Sequence, residues 1–196
     1  MPDRLTQQLA FFAEIDKVKQ IVRRTLLMDG SRFENDAEHS WHMALMALGL
    51  TEYAAEPVAA LRVVKMCLIH DVVEIDAGDA YAYDPAAQVG QADRERRAAA
   101  RIFGLLPPDQ AAEWCGLWEE FEAQASADAR YAAALDRVQS VLANYHAQGR
   151  SWRDHGVTRS QVLARIQAVR TGAPRLWEHL CQIVADATQR GWLRAD

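Results

Sequence analysis

The amino-acid sequence predicts an all-α protein built as a single domain. Apolar residues recur at helical spacing along most of the 196 residues, and the chain does not contain several of the alternating apolar and polar runs that are typical of strands. No internal repeat or low-complexity linker divides the chain, and its length favours one domain. Half of the residues are hydrophobic, which is enough to form a core. We expect one domain over residues 1–196, with a motif-bearing part at about 17–145 and C-terminal helices at 158–190 packed on it.

The predicted helices end at recognisable signals. Helices are expected over the following approximate ranges: 5–27, 36–55, 57–78, 91–103, 108–125, 128–148, 160–171 and 174–190. Asn35 or Asp36 can cap the second helix, Pro57 opens the third, and Gly78 ends it. Residues 79–90 have no clear period, and we interpret them as a loop against a functional site, with a merely connecting loop as the alternative.

Composition and charge exclude several classes of function. A formal net charge of −5 and a pI near 5.7 argue against binding of nucleic acid through its phosphates. No apolar stretch is long enough to span a bilayer, so no membrane partner is expected. The N-terminal region lacks the apolar segment of a signal peptide, and the three cysteines are widely separated. The sequence therefore predicts a protein of the reducing cytoplasm.

The segment from Met66 to Glu74 is the strongest sign of chemistry. In it an apolar run is interrupted by His70 and Asp71, and Glu74 follows one helical turn later. Burying a histidine and two carboxylates beside an apolar face is costly unless something pairs with them. A divalent cation is the simplest partner, because neutral imidazole and carboxylate oxygens are both common metal ligands.

Two other predicted helices each offer a further candidate ligand. His39 follows the capping residues of the second helix, and Asp136 lies beside the apolar stripe of the helix at 128–148. With His70 and Asp71 they form a set of two neutral histidines and two aspartates, whose charge a divalent ion would neutralise. Coordination positions would remain open for water and substrate, as in a catalytic site.

The order of these residues resembles a known family. His39, then His70-Asp71, then Asp136 match the H…HD…D pattern of the HD-domain metal-dependent phosphohydrolases. The resemblance is to the branch that contains the bacterial 5′-deoxynucleotidases, and it rests on the segments 34–40, 70–74 and 78–79. It implies an all-helical HD-domain fold, a homodimer, and hydrolysis of a nucleoside (deoxy)5′-monophosphate to nucleoside and phosphate by attack of metal-bound water.

The resemblance also implies a role for individual residues. The four residues of the pattern would bind one divalent metal ion, which could be Mn, Co, Fe, Zn, Ni or Mg. Glu74 and Asp79 would be the catalytic carboxylates, and which of them protonates the leaving oxygen stays open. Arg24 would meet the phosphate, with Arg23 and Arg32 as alternatives.

Substrate contacts are less well defined by the sequence. The residue after this arginine is a tryptophan in the deoxynucleotidases and Thr25 in this chain, so selection against ribonucleotides is in question. His42 could contact the substrate, or could be a packed histidine of the second helix. No histidine lies between Asp71 and Asp136, which favours one metal ion over two. A phosphodiesterase, a triphosphohydrolase and a non-catalytic nucleotide-binding protein remain the alternatives.

Overall fold

A computed structural model describes residues 3–196, which form a helical bundle with one small hairpin. In chain order the elements of this part are α1 (Arg4–Ile15), β1 (Val22–Leu26), β2 (Phe33–Asn35), α2 (Asp36–Gly49), α3 (Ala60–Ile69), α4 (Glu74–Ala77), α5 (Gln91–Phe103), α6 (Pro108–Ala123), α7 (Ala127–His146), α8 (Arg150–Asp154), α9 (Arg159–Arg165), α10 (Val169–Gly172) and α11 (Pro174–Gln189). The predicted all-α class and single domain are confirmed.

Helix α7 lies at the centre of the bundle. Helices α2 and α3 pack against each other and against α7, while α10 and α11 cover another side of it. Small residues at 132–134 let the neighbouring helices approach α7 closely, and all three are buried. At Gly172 the two helices lie so close that a Cβ atom there would be 2.3 Å from the carbonyl oxygen of Arg130. The ligand-bearing helices are therefore held by one continuous core.

The expectation of one helix from residue 5 to 27 is wrong. Helix α1 ends at Ile15, a 3₁₀ turn follows at Asp16–Gln20, and Val22–Leu26 pairs antiparallel with Phe33–Asn35. The apolar spacing of this region satisfied a helical period, but the β-branched residues and the turn at Asp29-Gly30 suit a hairpin equally well. Successive residues of a strand point to opposite faces, so the side chains of Arg23 and Arg24 take different directions at the site.

The segment that carries His70 and Asp71 is also not one continuous helix. Helix α3 starts three residues later than Pro57 and ends at Ile69, and His70–Val73 form a 3₁₀ turn before α4. In a 3₁₀ turn, side chains three residues apart eclipse one another. This brings Asp71 and Glu74 to the same side, and Gly78, with φ of 76°, then ends the segment as predicted.

The remaining boundaries agree with the sequence only in part. Helix α2 begins where expected but ends at Gly49 instead of about residue 55, α8 was not predicted, and the helix expected at 160–171 is divided into α9, a 3₁₀ turn and α10. Asn35 caps α2 and forms a capping box with Glu38, since each side chain accepts from the other's backbone amide. Residues 79–90 contain no helix or strand. Over residues 3–196, no helix is both long and apolar enough to cross a bilayer.

Candidate metal centre and its cavity

The His70 ring is held in one tautomer by the backbone. Its Nδ1 lies 2.9 Å from the carbonyl oxygen of Cys67, one turn earlier on α3. Because a carbonyl oxygen can only accept, the proton sits on Nδ1 and Nε2 carries a lone pair. His70 is buried, and its Nε2 has no hydrogen-bond partner among the described residues.

The His39 ring is fixed in the same way by a chain of side chains. Gln139 donates from its Nε2 to Glu34, at 2.9 Å, and its Oε1 accepts from the Nδ1–H of His39, at 2.8 Å. The Nε2 of His39 is again left as a buried lone pair, with no hydrogen-bond partner in the described residues. Burial, aided by the positive charge of Arg23, holds the pKa of His39 well below its usual range, so the ring is neutral.

These two lone pairs point toward carboxylates. The Nε2 of His70 lies 3.1 Å from Oδ1 of Asp71, and the Nε2 of His39 lies 3.2 Å from Oδ1 of Asp136. With both rings in the neutral Nδ1–H tautomer, neither contact contains a proton, so each is repulsive unless a cation lies between the two atoms. Ligand atoms on one metal ion are separated by about 3 Å when each bond is about 2.0–2.2 Å long. His39, His70 and Asp136 also offer ligand atoms within 4.8 Å of one another. The residues therefore fit a divalent ion.

These four side chains come from three elements of the fold. His39 lies in the first turn of α2, His70 and Asp71 in the 3₁₀ turn, and Asp136 in the middle of α7. Asp136 is buried, in contrast to an idle surface aspartate, although it also forms an ion pair with the adjacent Arg137. The structure thus brings together all four side chains that the sequence singled out as metal ligands.

Arg23 contacts three carboxylates in and beside this set. Its Nη1 lies 2.8 Å from Oδ2 of Asp71 and 3.2 Å from Oδ1 of Asp36, while its Nε lies 3.3 Å from Oε1 of Glu34. Burial would lower the pKa of Arg23, but the three carboxylates outweigh it and raise the pKa above its usual range. Burial also raises the pKa of Glu34 and of Asp36 to about 7.

A cavity of about 380 Å³ opens beside the candidate ligands. Its volume lies within the range of about 300–1,000 Å³ that small-molecule sites occupy. His70, Asp71 and Asp136 line it, and the loop at 79–90 contributes part of its wall, including Tyr81 and Tyr83. This loop therefore does face the site, as we expected from its sequence.

Glu74 and Asp79 both line this cavity. Burial, with the nearby charge of Asp71, raises the pKa of both carboxyl groups, and Asp36 adds to the effect on Glu74. A carboxyl group with a raised pKa can hold a proton near neutral pH and release it. The structure places both residues where the sequence predicted catalytic carboxylates.

The hairpin presents Arg24 and Thr25 to the same cavity. Arg24 follows Arg23 on β1 and its side chain is exposed, with no carboxylate within ion-pair distance in residues 3–196. Arg32 instead forms an ion pair with Glu38 on the outside. Of the three arginines considered from the sequence, Arg23 forms ion pairs with buried carboxylates, and Arg24 is available to bind a ligand.

His42 does not reach the cavity. It does not line the space beside the metal ligands, and its ring lies 6.2 Å from that of the exposed Trp41. Burial lowers the pKa of His42, as for a packed histidine. The structure therefore separates His42 from the other predicted substrate residues, although it lies only one helical turn beyond His39 on α2.

Sequence reasoning missed three residues of the site. Gln139 lies one helical turn beyond Asp136 on α7 and orients His39. Arg137 and Arg165 line the cavity from α7 and α9, and burial together with Arg165 lowers the pKa of Arg137 to about 9. Arg165 lies outside the motif-bearing part, so only its helical periodicity was visible in the sequence.

Comparison with known proteins agrees with this geometry. A family model described as HD domain matches residues 15–177. A solved structure from Magnetospirillum magnetotacticum, described as a predicted metal-dependent phosphohydrolase, is 54% identical, with a TM-score of 0.93, and covers 97% of this chain and 95% of its own. A conserved hypothetical protein from Pyrococcus furiosus, 17% identical, shares the fold with a TM-score of 0.66 over 91% of this chain and 99% of its own.

The chain belongs to the HD-domain family, as the sequence predicted. Among characterised relatives, the human 5′-deoxynucleotidase HDDC2 is 30% identical over 135 residues, which are 68% of this chain and 65% of the human protein. The zebrafish (Danio rerio) protein of the same name is 31% identical over 56% of this chain and 53% of its own. The chain thus matches somewhat less than two thirds of the length of these relatives. Membership of the family implies a divalent metal cofactor, which the His and Asp side chains described above would hold.

Proposed function

We propose that this protein is a metal-dependent phosphohydrolase that converts nucleoside 5′-monophosphates, ribo or deoxy, to nucleoside and phosphate. One observation carries the proposal. The buried lone pairs of His39 and His70 face the carboxylates of Asp136 and Asp71 at the wall of a cavity. Arg24 also lines this cavity and has no ion-pair partner among residues 3–196. Cation-binding and anion-binding groups therefore meet in one space, as hydrolysis of a phosphomonoester requires.

The metal centre and Arg24 have separate roles toward the phosphate. His39, His70, Asp71 and Asp136 would hold a divalent ion, which would supply positive charge beside the phosphoryl group and lower the pKa of a water molecule. Arg24 binds the phosphoryl oxygens through its planar guanidinium group, which matches the geometry of phosphate.

The two cavity carboxylates move the protons. Glu74 and Asp79 flank the space in which the phosphate would lie, and burial raises the pKa of each. One accepts a proton from the attacking water while the other gives a proton to the 5′ oxygen that leaves. The adjacent Tyr81 and Tyr83 form part of the wall that limits access of bulk water.

Phosphate release from a substrate panel tests this proposal. The Mn²⁺-loaded protein is expected to release phosphate from both ribo- and deoxynucleoside monophosphates, and Asp71→Ala is expected to abolish release. Asp76→Ala is the matched control, because Asp76 lies nearby on α4 but pairs with Arg101 outside the cavity. No release from any phosphomonoester, or full activity of the Asp71 variant, would show that the proposed reaction is wrong.

Four arginines at one cavity also support the alternative of a more highly charged substrate. Arg23, Arg24, Arg137 and Arg165 all line the space, among the carboxylates of the same lining. The same panel therefore includes nucleoside triphosphates and phosphodiesters. Faster turnover of triphosphates than of monophosphates would favour that alternative.

Thr25 supports a site that accepts ribonucleotides. It lines the cavity beside Arg24, where a larger side chain would narrow the space available to a sugar hydroxyl. We expect comparable kcat/KM for ribo- and deoxynucleoside monophosphates in the wild type. Thr25→Trp is expected to lower kcat/KM for the ribonucleotide selectively, whereas Thr25→Ser should leave the ratio unchanged.

A homodimer and a cytoplasmic location complete the proposal. Trp41, Leu45 and Leu48 are exposed at spacings of four and three residues, so they form one apolar stripe along α2. Such a stripe suits the interface of two identical chains. Light scattering is expected to give twice the mass of one chain for the wild type, and Leu45→Glu is expected to give monomers.

The three free thiols suit a reducing compartment such as the cytoplasm.

A further inference from the structure

A second cluster of possible cation ligands adjoins the candidate metal centre through Asp71. Asp36, Asp71 and Glu74 offer carboxylate oxygens within 4.8 Å of one another, separately from the His39, His70 and Asp136 set. Asp71 belongs to both groups of contacts. Its Oδ1 faces His70 at 3.1 Å, and its Oδ2 faces Arg23 at 2.8 Å.

The cation that this cluster contains is a side chain of the protein itself. The guanidinium of Arg23 contacts Asp71 and Asp36 through Nη1 and approaches Glu34 through Nε. Strand β1 directs this side chain inward, while the next residue, Arg24, is exposed on the cavity side. A rigid fork of donors can meet several carboxylates at once, which a single ammonium group cannot do.

The carboxylates around Arg23 outnumber the charge that it supplies. Asp36 is fully buried, and its Oδ2 has no hydrogen-bond partner in the described residues. Oε1 of Glu34 and Oε2 of Glu74 are also buried without a partner of hydrogen-bond geometry in that part of the chain. Uncompensated carboxylate oxygens in a buried cluster are a strong attraction for a divalent ion.

We propose that the Arg23 guanidinium takes the place of a second divalent ion, so that the centre holds one ion instead of two. Arg23 is a positioning residue, since it acts on the reaction through Asp71. By binding Oδ2 it directs Oδ1 toward the first ion, and its charge keeps a second ion out of the Asp36, Asp71 and Glu74 cluster. The inference rests on the proposed ligand set, with Asp71 as the residue shared between the two positions.

Metal stoichiometry after removal of this charge tests the inference. The wild type and Arg23→Gln are equilibrated with millimolar Mn²⁺, and bound metal is measured by elemental analysis. We expect one ion per chain in the wild type and two in Arg23→Gln. The electron paramagnetic resonance spectrum of the variant should also show two coupled Mn²⁺ ions, because one carboxylate would bridge them. A merely structural role of Arg23 would change neither measurement.

Two variants make the result specific. Arg24→Gln removes the same charge from the neighbouring residue, which contacts no carboxylate of the cluster, and is expected to keep one ion. Arg23→Gln/Asp36→Asn removes a ligand of the second position and is expected to return to one ion. Two ions in Arg24→Gln, or in the double variant, would show that the added ion binds elsewhere and would overturn the inference.

The remaining outcomes separate this inference from the proposed function. Loss of the single wild-type ion in His70→Ala supports the ligand set, whereas retention of that ion contradicts it. With the ligand set supported, one ion in a folded Arg23→Gln variant overturns only the role of Arg23. If Arg23→Gln fails to fold even in millimolar Mn²⁺ while Arg23→Lys folds, an ion cannot replace the guanidinium, and the inference is also wrong.

Discussion

The Oε1 atom of Gln139 lies 2.8 Å from Nδ1 of His39, and this contact decides which ring nitrogen of His39 is free. Gln139→Met keeps the length of the side chain but removes the acceptor. We expect the affinity for Mn²⁺ to fall about 10–100-fold, as for other residues that orient a metal-binding histidine. Isothermal titration calorimetry measures this change.

A second buried amide on α7 provides the control for this variant. Asn144 donates to the carbonyl oxygen of Ser140, which is not one of the residues that orient the proposed ligands. Asn144→Leu is expected to lower stability without changing the affinity for Mn²⁺. An equal loss of affinity in both variants would mean that the Gln139 effect is one of folding.

Arg165 is expected to contribute to binding of the phosphorylated substrate. It lines the cavity and has no ion-pair partner in the described residues, so its charge is available to an anion. Arg165→Gln should raise KM roughly tenfold or more, the effect of losing a hydrogen bond to a charged group. Arg170→Gln removes an exposed arginine of α10 that does not line the cavity, and its KM should match that of the wild type.

The ionised carboxylate of Asp79 is expected to destabilise the folded state of the metal-free protein. Burial, with the charge of Asp71, raises its pKa, so folding favours the protonated form, and stability falls as the pH rises from the usual range of aspartate to the folded pKa. Asp79→Asn carries no charge and should therefore unfold at a higher temperature than the wild type at about pH 8, while being inactive. The difference in melting temperature should vanish in acid, below both pKa values. A variant that is less stable than the wild type at alkaline pH would contradict this cause.

Gly172 is expected to be essential for the packing of α10 on α7. A Cβ atom at this position would lie 2.3 Å from the carbonyl oxygen and 2.8 Å from the carbonyl carbon of Arg130, and backbone atoms cannot rotate away. Gly172→Ala should lower the free energy of unfolding by about 1–3 kcal/mol, as other overpacked sites do. Thermal denaturation followed by circular dichroism measures the change.

Gly116 is the matched control for this substitution. It lies in α6, and a Cβ atom there would have no neighbour within 4 Å. Gly116→Ala should raise stability by about 0.5–1 kcal/mol, because alanine loses less conformational entropy than glycine in a helix. Equal destabilisation of both variants would indicate that the close contact with Arg130 is not the cause.

Local sequence signals predicted most of the helices correctly. The capping box at Asn35, the stop at Gly78 and the helix at 91–103 depend on interactions between residues close in the chain, so they can be recognised without the tertiary structure. The hairpin at 22–35 was missed because its two strands are short and one also fits a helical period. Which arginine faces the carboxylates follows from that hairpin, so it could not be predicted either.

The sequence by itself determined the HD-domain family and indicated the four side chains that meet at the candidate metal centre, because their residue types and order are specific in combination. Only the tertiary structure decided which cation pairs with the carboxylates of that centre and which side chains orient its histidines. Arg23 contacts Asp71, 48 residues away, and Gln139 contacts His39, 100 residues away. Such contacts depend on the packing of α2, α7 and the hairpin around a shared core, and no local pattern along the chain encodes them.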